Sequence, residues 1–478
     1  MNRLIRRREF LIKSSCAVMS PLAVSLPGEC PSAIAAEPST PGAVDGPLRV
    51  HPDNPRYFID RSGRAVYVTG SHVWNNLVDM GLGDPPPKFN FDEYLDFFAK
   101  YGHNFIRLWT WEHSTWDTST VASGKKDLPH IVAPHPWERT GPGKALDEKP
   151  KFDLTKFNED YFERLRSRVI AAGKQEVYVS VMLFEGWGVQ FAPGAWNGHP
   201  LNARNNINGV AGDANSDGMG LEIHTLTNPA ITRHQEAYVK KVIDTVNDLD
   251  NVLYEISNEN HAPSSEWQYH MIRFVKTYEK AKPKQHPVGM TIQTRGTNET
   301  LLESPADWIS PYYVGEPLDD PPAADGSKVI ISDTDHLWGI GGNPAWVWKS
   351  FARGLNPIFM DPYDGQVLAR RFDPQWDPVR RAMGYTLRLA RRMNLASMTP
   401  HGELASSKYC LADSGREYLV YAPAGGEVTV DLSAAKGELN VEWFDPTHGK
   451  SIHGGKTNGG DRQQFNAPFD GHAVLYLS

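Results

Sequence analysis

The chain has little cysteine, with three residues among 478. Cys16 and Cys30 lie within the first 35 residues, so a mature chain that begins after Ala35 would keep Cys410 alone. A single thiol excludes an intrachain disulfide, and stability must then come from a large core. The sequence also lacks paired cysteines and a His-Glu-x-x-His motif, so we predict no zinc site and no cofactor.

Long hydrophobic runs and an excess of positive charge are absent as well. After residue 35, no run approaches the roughly 18 uninterrupted apolar residues of a membrane span. The formal net charge is −8, and loss of residues 1–35, with five basic and two acidic side chains, would make it about −11. We therefore expect neither a membrane span nor a nucleic-acid partner in the mature chain, and the oligomeric state is left open.

The amino terminus has the order of an export signal. Residues 6–13 carry paired arginines before Phe10-Leu11, a modest apolar stretch extends to residue 26, and Ala33-Ile34-Ala35 has the small-x-small form of a cleavage site. This order resembles a bacterial twin-arginine signal. We predict that residues 1–35 are a signal peptide and that the protein is exported to the periplasm or beyond. An ordinary basic amphipathic segment is the alternative.

What the chain does contain is a series of eight short β-rich runs, most of them followed by helical periodicity. The runs cover residues 65–69, 104–108, 177–183, 252–256, 288–292, 308–312, 328–332 and 357–360. Helical spacing is clearest in residues 91–101, 157–172, 231–249 and 267–281, is shorter in 346–353, and predicts a closing helix in 378–393. Strands buried on both faces and alternating with helices predict a (β/α)8 barrel over residues 46–400. An open doubly wound sheet is the alternative, but no Gly-x-Gly-x-x-Gly follows a strand.

After Pro400 the pattern changes to strands and turns. Apolar runs at residues 418–421, 427–432, 439–444 and 472–477 are separated by turns such as Ala424-Gly425-Gly426. They predict a small all-β sandwich over residues 401–478. Its aromatic residues could form a sugar-binding face, although a core position is favoured. Because no low-complexity linker joins the domains, we expect the sandwich to dock rigidly on the barrel.

The tripeptide Ser257-Asn258-Glu259 follows the fourth run and carries the clearest chemical signal. The active site of a (β/α)8 enzyme lies at the carboxyl ends of its strands, so Glu259 is a candidate general acid. Asn258 can hydrogen-bond a sugar hydroxyl beside the reacting carbon. Asn-Glu is also a common dipeptide, so the position of the pair carries more weight than the motif.

Several segments together resemble the bacterial apiosidase-like glycoside hydrolases, which belong to a large clan of retaining enzymes. These segments are Asn54-Pro55-Arg56-Tyr57-Phe58, Asp60-x-x-Gly63, residues 66–70, Asn258-Glu259, residues 418–421 and Phe444-Asp445-Pro446. The resemblance covers nearly all of the mature chain. It implies a barrel joined to a β-sandwich of the type labelled a collagen-binding domain, a carbohydrate substrate, and two catalytic carboxylates. Glu259 matches the acid/base position after the fourth strand.

The seventh strand departs from that pattern. Where the clan has glutamate, this chain has Ile331-Ser332-Asp333-Thr334-Asp335-His336, so Asp333 or Asp335 must supply the second carboxylate, and Asp335 is favoured. Aspartate is one methylene shorter, which leaves retention or inversion open. Arg107 resembles the clan arginine that keeps the nucleophile ionised. A structural ion pair is the alternative for Arg107.

Other polar and aromatic residues follow the predicted strands, and their joint position at one barrel face predicts substrate binding. They are His72, Trp74, Asn75, Trp111, Glu112, Glu185, Trp187, Tyr312, Trp338 and Asp361. Each of them taken singly could equally serve loop packing. The three carboxylates among them are expected to accept hydrogen bonds from substrate hydroxyls rather than to form a second catalytic pair.

Two further hypotheses compete with this interpretation. Asp213-Ala214-Asn215-Ser216-Asp217-Gly218 has the first half of a calcium loop, but the twelfth position is His224, so a polar turn is favoured and cation binding stays open. The sequence thus predicts an exported glycoside hydrolase that cleaves a polysaccharide or derived oligosaccharide with two carboxylates. A non-catalytic glycan- or matrix-binding protein on a barrel scaffold is the alternative. The sugar, the linkage, and endo or exo action are not specified.

Overall fold

A computed structural model describes residues 44–117, 129–192, 194–313, 317–363 and 374–478. The predicted signal peptide, residues 1–35, lies outside these ranges. Among the described helices, none combines the length and apolar character needed to cross a membrane.

Eight parallel strands form a closed barrel, which confirms the predicted fold class. The strands are β1 (Gly70–His72), β2 (Phe105–Leu108), β3 (Tyr178–Glu185), β4 (Val252–Asn258), β5 (Val288–Thr291), β6 (Trp308–Ser310), β7 (Val329–Asp333) and β8 (Asn356–Met360). Pairing of Ile358, Phe359 and Met360 with Gly70, Ser71 and His72 closes the sheet.

Ten α-helices accompany these strands in the described part of the chain. They are α1 (Phe91–Tyr101), α2 (Glu159–Lys174), α3 (Trp187–Phe191), α4 (Ala195–Gly198), α5 (Pro229–Val246), α6 (Ser265–Glu279), α7 (Asn298–Glu303), α8 (Thr334–Leu337), α9 (Pro344–Ala352) and α10 (Asp377–Ala390). The long helices α1, α2 and α5 each begin after an asparagine, Asn90, Asn158 or Asn228, whose side chain accepts from a backbone N–H of the first turn. These caps fix where each helix starts behind its strand.

The first barrel strand was placed too early in the sequence. Ala65–Val66 pairs antiparallel with Phe58–Ile59, and Arg49–Val50 completes this small three-stranded sheet. The barrel strand itself is Gly70–His72. Both segments are short and apolar, so hydrophobicity alone does not distinguish the barrel strand from the sheet that precedes it.

The barrel interior is layered. Phe105, Leu253 and Ile331 belong to a buried apolar cluster that Leu48 and Phe58 from the amino-terminal segment join. The residue two positions further along each of these three strands is charged. Because alternate residues of a strand face the same way, the charged layer lies directly above the apolar one, toward the carboxyl ends of the strands.

The carboxyl-terminal region is all-β, as predicted. Its strands are β9 (Thr399–Pro400), β10 (Cys410–Asp413), β11 (Glu417–Ala422), β12 (Glu427–Asp431), β13 (Glu438–Asp445), β14 (Lys450–Asn458), β15 (Arg462–Asn466) and β16 (Ala473–Leu477). Six of them form one sheet in the order β9-β10-β11-β16-β13-β14, and β12 pairs with β15 in a second sheet. The sequence patterns missed β9, β10, β14 and β15.

The sandwich packs against the barrel through aromatic rings. Trp348 of α9 lies with its ring centroid 6.2 Å from that of Tyr421 and 5.6 Å from that of Phe444. Tyr418, Tyr421 and Phe444 are all fully buried. The aromatic side chains of these strands therefore serve the core and the interface between the domains, as the favoured interpretation had it.

Candidate active site

Arg107 of β2 stands at the centre of the charged layer. Its Nε and one terminal nitrogen donate to both oxygens of Glu255 at 2.9 and 2.6 Å, and its other terminal nitrogen donates to Asp333 Oδ2 at 2.6 Å. The nitrogen that contacts Glu255 also donates to Asn258 Oδ1 at 2.7 Å. The guanidinium is almost completely buried, so these contacts fix its plane and hold the ends of β4 and β7 in register with β2.

Asp333 is the last residue of β7, and both of its carboxylate oxygens have hydrogen-bond partners. Its Oδ1 accepts from the backbone N–H of Asp335 at 2.9 Å, and His72 Nε2 lies 3.0 Å from each carboxylate oxygen. Burial alone would raise the pKa of Asp333, but His72 and Arg107 hold it below its usual value. Asp333 is therefore a buried carboxylate whose ionised form is favoured by its partners His72 and Arg107.

Asp335 is the less constrained of the two aspartates. Its Oδ2 lies 3.5 Å from Arg107 and has no hydrogen-bond donor among the described residues. Asp335 keeps 7% of its surface exposed, whereas Asp333 keeps none. Burial, and then the negative charge of Asp333, raise the pKa of Asp335 to about 6. Glu255, Asp333 and Asp335 share the guanidinium of Arg107. Asp335 lies farthest from it, so its carboxyl group holds a proton most readily.

Asn258 and His336 connect the ends of β4 and β7. His336 Nε2 lies 3.2 Å from Asn258 Oδ1, and His336 Nδ1 lies 2.7 Å from the hydroxyl of Ser310 on β6. Asn258 Oδ1 thus has two donors, one from Arg107 and one from His336. Its amide oxygen is fixed toward the network, which leaves the amide nitrogen as its other polar group.

Glu259 follows β4 directly, as predicted. Its backbone φ is +39°, in the left-handed region that L-residues other than Asn and Asp rarely adopt. Gln190 Nε2 donates to the Glu259 carbonyl at 2.8 Å, and Thr294 Oγ1 donates to it at 3.1 Å. Two side chains from neighbouring strand ends thus hold a strained backbone, a combination that is concentrated at functional sites.

Glu112 and Glu185 form a second buried carboxylate pair beside Glu259. Glu112 accepts from His224 Nε2 at 3.1 Å, from the backbone N–H of Glu185 at 2.9 Å, and lies 3.5 Å from His199 Nε2. Burial would raise the pKa of Glu112, but the two histidines lower it below its usual value. Glu112 therefore anchors the loop between β3 and β4.

The pKa of Glu185 is shifted in the opposite direction from that of Glu112. Burial raises its pKa well above the usual value, and the charges of Glu112 and Glu259 act in the same direction. Its carboxylate accepts from the backbone N–H groups of Trp187 and Gly188 at 2.7 and 2.8 Å. Glu185 thus organises the start of α3, and its predicted contact with substrate stays a prediction.

The tryptophans at the barrel mouth form one packed cluster. The Trp74 ring lies 5.5 Å from Trp111, 5.8 Å from Trp116 and 5.4 Å from Trp187, measured between centroids. All four are buried. In this structure they pack against one another, mostly in tilted or edge-on pairs, and do not form open platforms. Asn75, beside them, is buried with an Oδ1 that lacks a hydrogen-bond partner among the described residues.

The remaining predicted residues lie in different environments. Both oxygens of Asp361 accept from Arg380 at 2.8 and 2.5 Å, so its carboxylate is engaged in a buried ion pair. Trp338 is half-buried against Trp346. Tyr312 is exposed after β6. The roles of these three residues in substrate binding stay predictions.

Glu255 is the residue of this site that the sequence analysis missed. It is completely buried and binds Arg107 through both oxygens. One signal was present: a glutamate in the middle of an apolar run must have a buried partner. Its position two residues after Leu253 also gives it the same inward face.

In the segment Asp213–Gly218, side-chain oxygens accept hydrogen bonds from backbone N–H groups of the same segment. Asp213 accepts from the N–H groups of Asp217 and Gly218, and Asn215 Oδ1 accepts from Asp217 as well. Within the residues that the structure describes, no group of three or more acidic, histidine or cysteine side chains is arranged to hold a metal ion. The polar turn is the interpretation that these contacts favour.

Several solved structures described as glycoside hydrolases share the fold of this chain. One structure described as a glycoside hydrolase is 15% identical, with 90% of this chain and 96% of that chain covered and a TM-score of 0.58. A glycoside hydrolase family 5 protein from Bacteroides vulgatus ATCC 8482 is 14% identical over 90% and 93% of the two chains, with a TM-score of 0.59. At this identity the likeness establishes the fold.

Two family models match parts of the chain. Residues 125–308 match a domain of unknown function, DUF6298, and residues 397–475 match the "Putative collagen-binding domain of a collagenase". No curated protein matches the chain. The carboxyl-terminal match agrees with the predicted type of sandwich, while the apiosidase-like label stays a prediction.

Proposed function

We propose that this protein is a glycoside hydrolase in which Glu259 is the general acid and Asp335 is the second carboxylate. The observation that carries the proposal is the arrangement of the strand ends. Glu259 follows β4 and Asp335 follows β7, and the contacts of Asn258 with Arg107 and His336 tie those two ends together. The shared fold of solved glycoside hydrolases supports it.

Each residue has a distinct task in this reaction. Glu259 donates a proton to the departing oxygen, and the amide nitrogen of Asn258 binds the hydroxyl next to the reacting carbon. Asp335 attacks that carbon or activates a water, depending on how far its carboxyl lies from that of Glu259. Asp333 provides a fixed negative charge near the developing positive charge of the transition state, and Arg107 holds Asp333 in place.

The choice of Asp335 over Asp333 rests on available lone pairs. A nucleophile or base needs an oxygen that can face the substrate, and the Asp333 oxygens are occupied by His72, Arg107 and a backbone N–H. Asp335 retains an oxygen without a hydrogen-bond donor among the described residues. A pKa of about 6 also makes Asp335 a stronger base than an ordinary aspartate.

The substrate class is a polysaccharide or an oligosaccharide derived from one. The test is a screen of purified mature protein against polysaccharides and alkyl or aryl glycosides, with released sugar as the readout. Release of sugar from at least one member is expected. If no member releases sugar while one or more bind measurably, the protein is a glycan-binding barrel instead.

We further propose export by the twin-arginine route, on the basis of residues 1–35. Replacing Arg7 and Arg8 with lysine keeps the charge but removes the paired arginines that this route requires. Fractionation of expressing bacteria should then show unprocessed protein in the cytoplasm, with the unaltered chain as control. Normal secretion of the double variant would assign the protein to the general secretory route.

A further inference from the structure

We propose that a groove beside Glu259 binds the leaving group of the substrate, and that this leaving group is an apolar alkyl or aryl alcohol. The inference rests on the proposed glycosidase function and changes its leaving side: the substrate becomes an oligosaccharide joined to an apolar alcohol, and not a polysaccharide cleaved between two sugars. The groove has a volume of about 470 Å³, within the range of roughly 300–1,000 Å³ for ligand pockets. Its apolar lining consists of Phe191, Met219, Leu221, Ala262 and Pro263.

The groove adjoins the residues that hold the backbone of the proposed acid. Gln190 and Thr294, whose side chains both donate to the Glu259 carbonyl, line it. Its walls follow β3, β4 and β5, and β3 lies across the barrel from β7, which carries Asp335. In a two-carboxylate reaction the acid protonates the leaving oxygen while the other carboxylate acts on the opposite face of the sugar. A leaving group protonated by Glu259 would therefore depart from the end of β4, which is one of the three strand ends that this groove follows.

Glu222, Thr225 and Arg295 also line the groove, and it is the exposed apolar side chains that favour hydrocarbon over a second sugar ring. Phe191 is 45% exposed and Met219 is 37% exposed, and they are two of seven large apolar side chains that are exposed in the described part of the chain. Two such side chains in one groove, beside Leu221, Ala262 and Pro263, mark a ligand site. Each methylene that leaves water for this surface contributes to binding.

The wall that carries Leu221 is already ordered. His224 is bound to Glu112, His261 Nε2 lies 2.8 Å from the Leu221 carbonyl, and Gln235 donates to the Ile223 carbonyl at 2.8 Å. These contacts fix the 3-10 turn Leu221–His224 between β3 and β4. Since the groove is preformed, little ordering opposes the entry of an apolar ligand.

A series of alkyl glycosides of one hydrolysed sugar, from methyl to octyl, tests the inference kinetically. The alcohols have similar acidity, so the chain length changes burial but not the leaving ability. For the unaltered protein, kcat/KM should rise with each added methylene, by up to about fourfold when the methylene is fully buried. Phe191→Ser and Met219→Ser should flatten this rise and lower the octyl-to-methyl ratio. Leu302→Ser is the matched control, because Leu302 is 43% exposed outside the groove.

Binding of free 4-methylumbelliferone to the full mature protein, followed by saturation-transfer NMR, gives a readout independent of turnover. Phe191→Ser should weaken it several-fold and Leu302→Ser should not. Turnover without any effect of chain length, together with no binding of the free alcohol, would overturn the groove proposal and leave the glycosidase standing. Phe191-dependent binding with no hydrolysis of any glycoside would support the apolar site and remove the glycosidase.

Discussion

The proton that the proposed reaction needs comes from residue 259. Glu259→Gln keeps the size and hydrogen-bonding capacity of the side chain but cannot release a proton, so turnover of alkyl glycosides should fall by about 10² to 10⁴. Aryl glycosides with good leaving groups should lose less, because their oxygen needs less protonation. Glu266→Gln, an exposed change on the helix that follows β4, is the control and should leave turnover unaltered. Unimpaired hydrolysis by Glu259→Gln would remove Glu259 from the mechanism.

The two aspartates after Ser332 should respond differently to substitution. Asp335→Asn should abolish turnover, because the attacking or base-forming oxygen is lost. Asp333→Asn should reduce turnover by about 10- to 100-fold, the usual cost of removing a group that orients a site. Circular dichroism and urea unfolding of both variants would separate loss of chemistry from loss of fold. The reverse order of effects would transfer the role to Asp333.

The pH profile gives a further separation. Asp335 must be ionised to act, and its pKa is raised to about 6, so kcat/KM should decline as pH falls through about 6. The negative charge of Asp333 helps to raise that pKa, hence Asp333→Asn should move the acid limb to lower pH. An acid limb that stays in place after Asp333→Asn would show that Asp335 does not control it.

For individual residues, the sequence predicted location where it follows from a strand end: Glu259 lies after β4 and Asp335 after β7. It did not predict Glu255, because the partner of that glutamate, Arg107, comes within reach only once the sheet places β2 and β4 on either side of β3. It also did not predict that the tryptophans pack against one another. Side-chain direction within a loop depends on contacts with other loops, and the order of residues does not contain that information.

Secondary-structure elements with long uniform patterns were predicted well. Seven of the eight barrel strands lie where apolar runs indicated, and α1, α2, α5 and α6 match the helical periodicity. The predicted position of the first barrel strand was wrong because two short segments, Ala65–Val66 and Gly70–His72, follow each other closely in the sequence. The missed sandwich strands β14 and β15 are largely polar, since one face of each meets water and few apolar positions mark them.

Close helix packing leads to a prediction for α10. Helix propensity alone would make Gly384→Ala stabilising by about 1 kcal/mol. However, a Cβ atom at this position would lie 1.8 Å from the Tyr101 carbonyl oxygen. That oxygen belongs to the backbone of α1, so relieving the clash would require the helix itself to shift. Overpacking of this kind costs about 1–3 kcal/mol, so the net effect should be destabilising.

Urea unfolding of Gly384→Ala measures this balance. Ser167→Ala, on an exposed position of α2, provides a control in which propensity acts without a clash and should stabilise by about 0.5 kcal/mol. A Gly384→Ala variant that is more stable than the unaltered chain would mean that α1 and α10 can separate without loss.

The whole molecule behaves as two domains that share a buried surface. Phe444 of the sandwich is fully buried, with its ring centroid 5.6 Å from Trp348 and 5.5 Å from Tyr385. Phe444→Ala should lower the free energy of unfolding by about 3–5 kcal/mol, the usual cost of removing a buried phenylalanine. Unfolding followed by tryptophan fluorescence and by loss of turnover should coincide in one transition. Two separate transitions would show that the barrel is stable without the sandwich.

The left-handed backbone at Glu259 has a consequence for engineering this protein. Glycine adopts a φ of +39° without the steric cost that glutamate bears, so the residue that best suits the local backbone is not the one that can donate a proton. If Glu259 is the acid, as proposed, selection for heat resistance alone would favour its replacement and enrich inactive chains. A library for a thermostable enzyme should keep position 259 constant and select on turnover after heating.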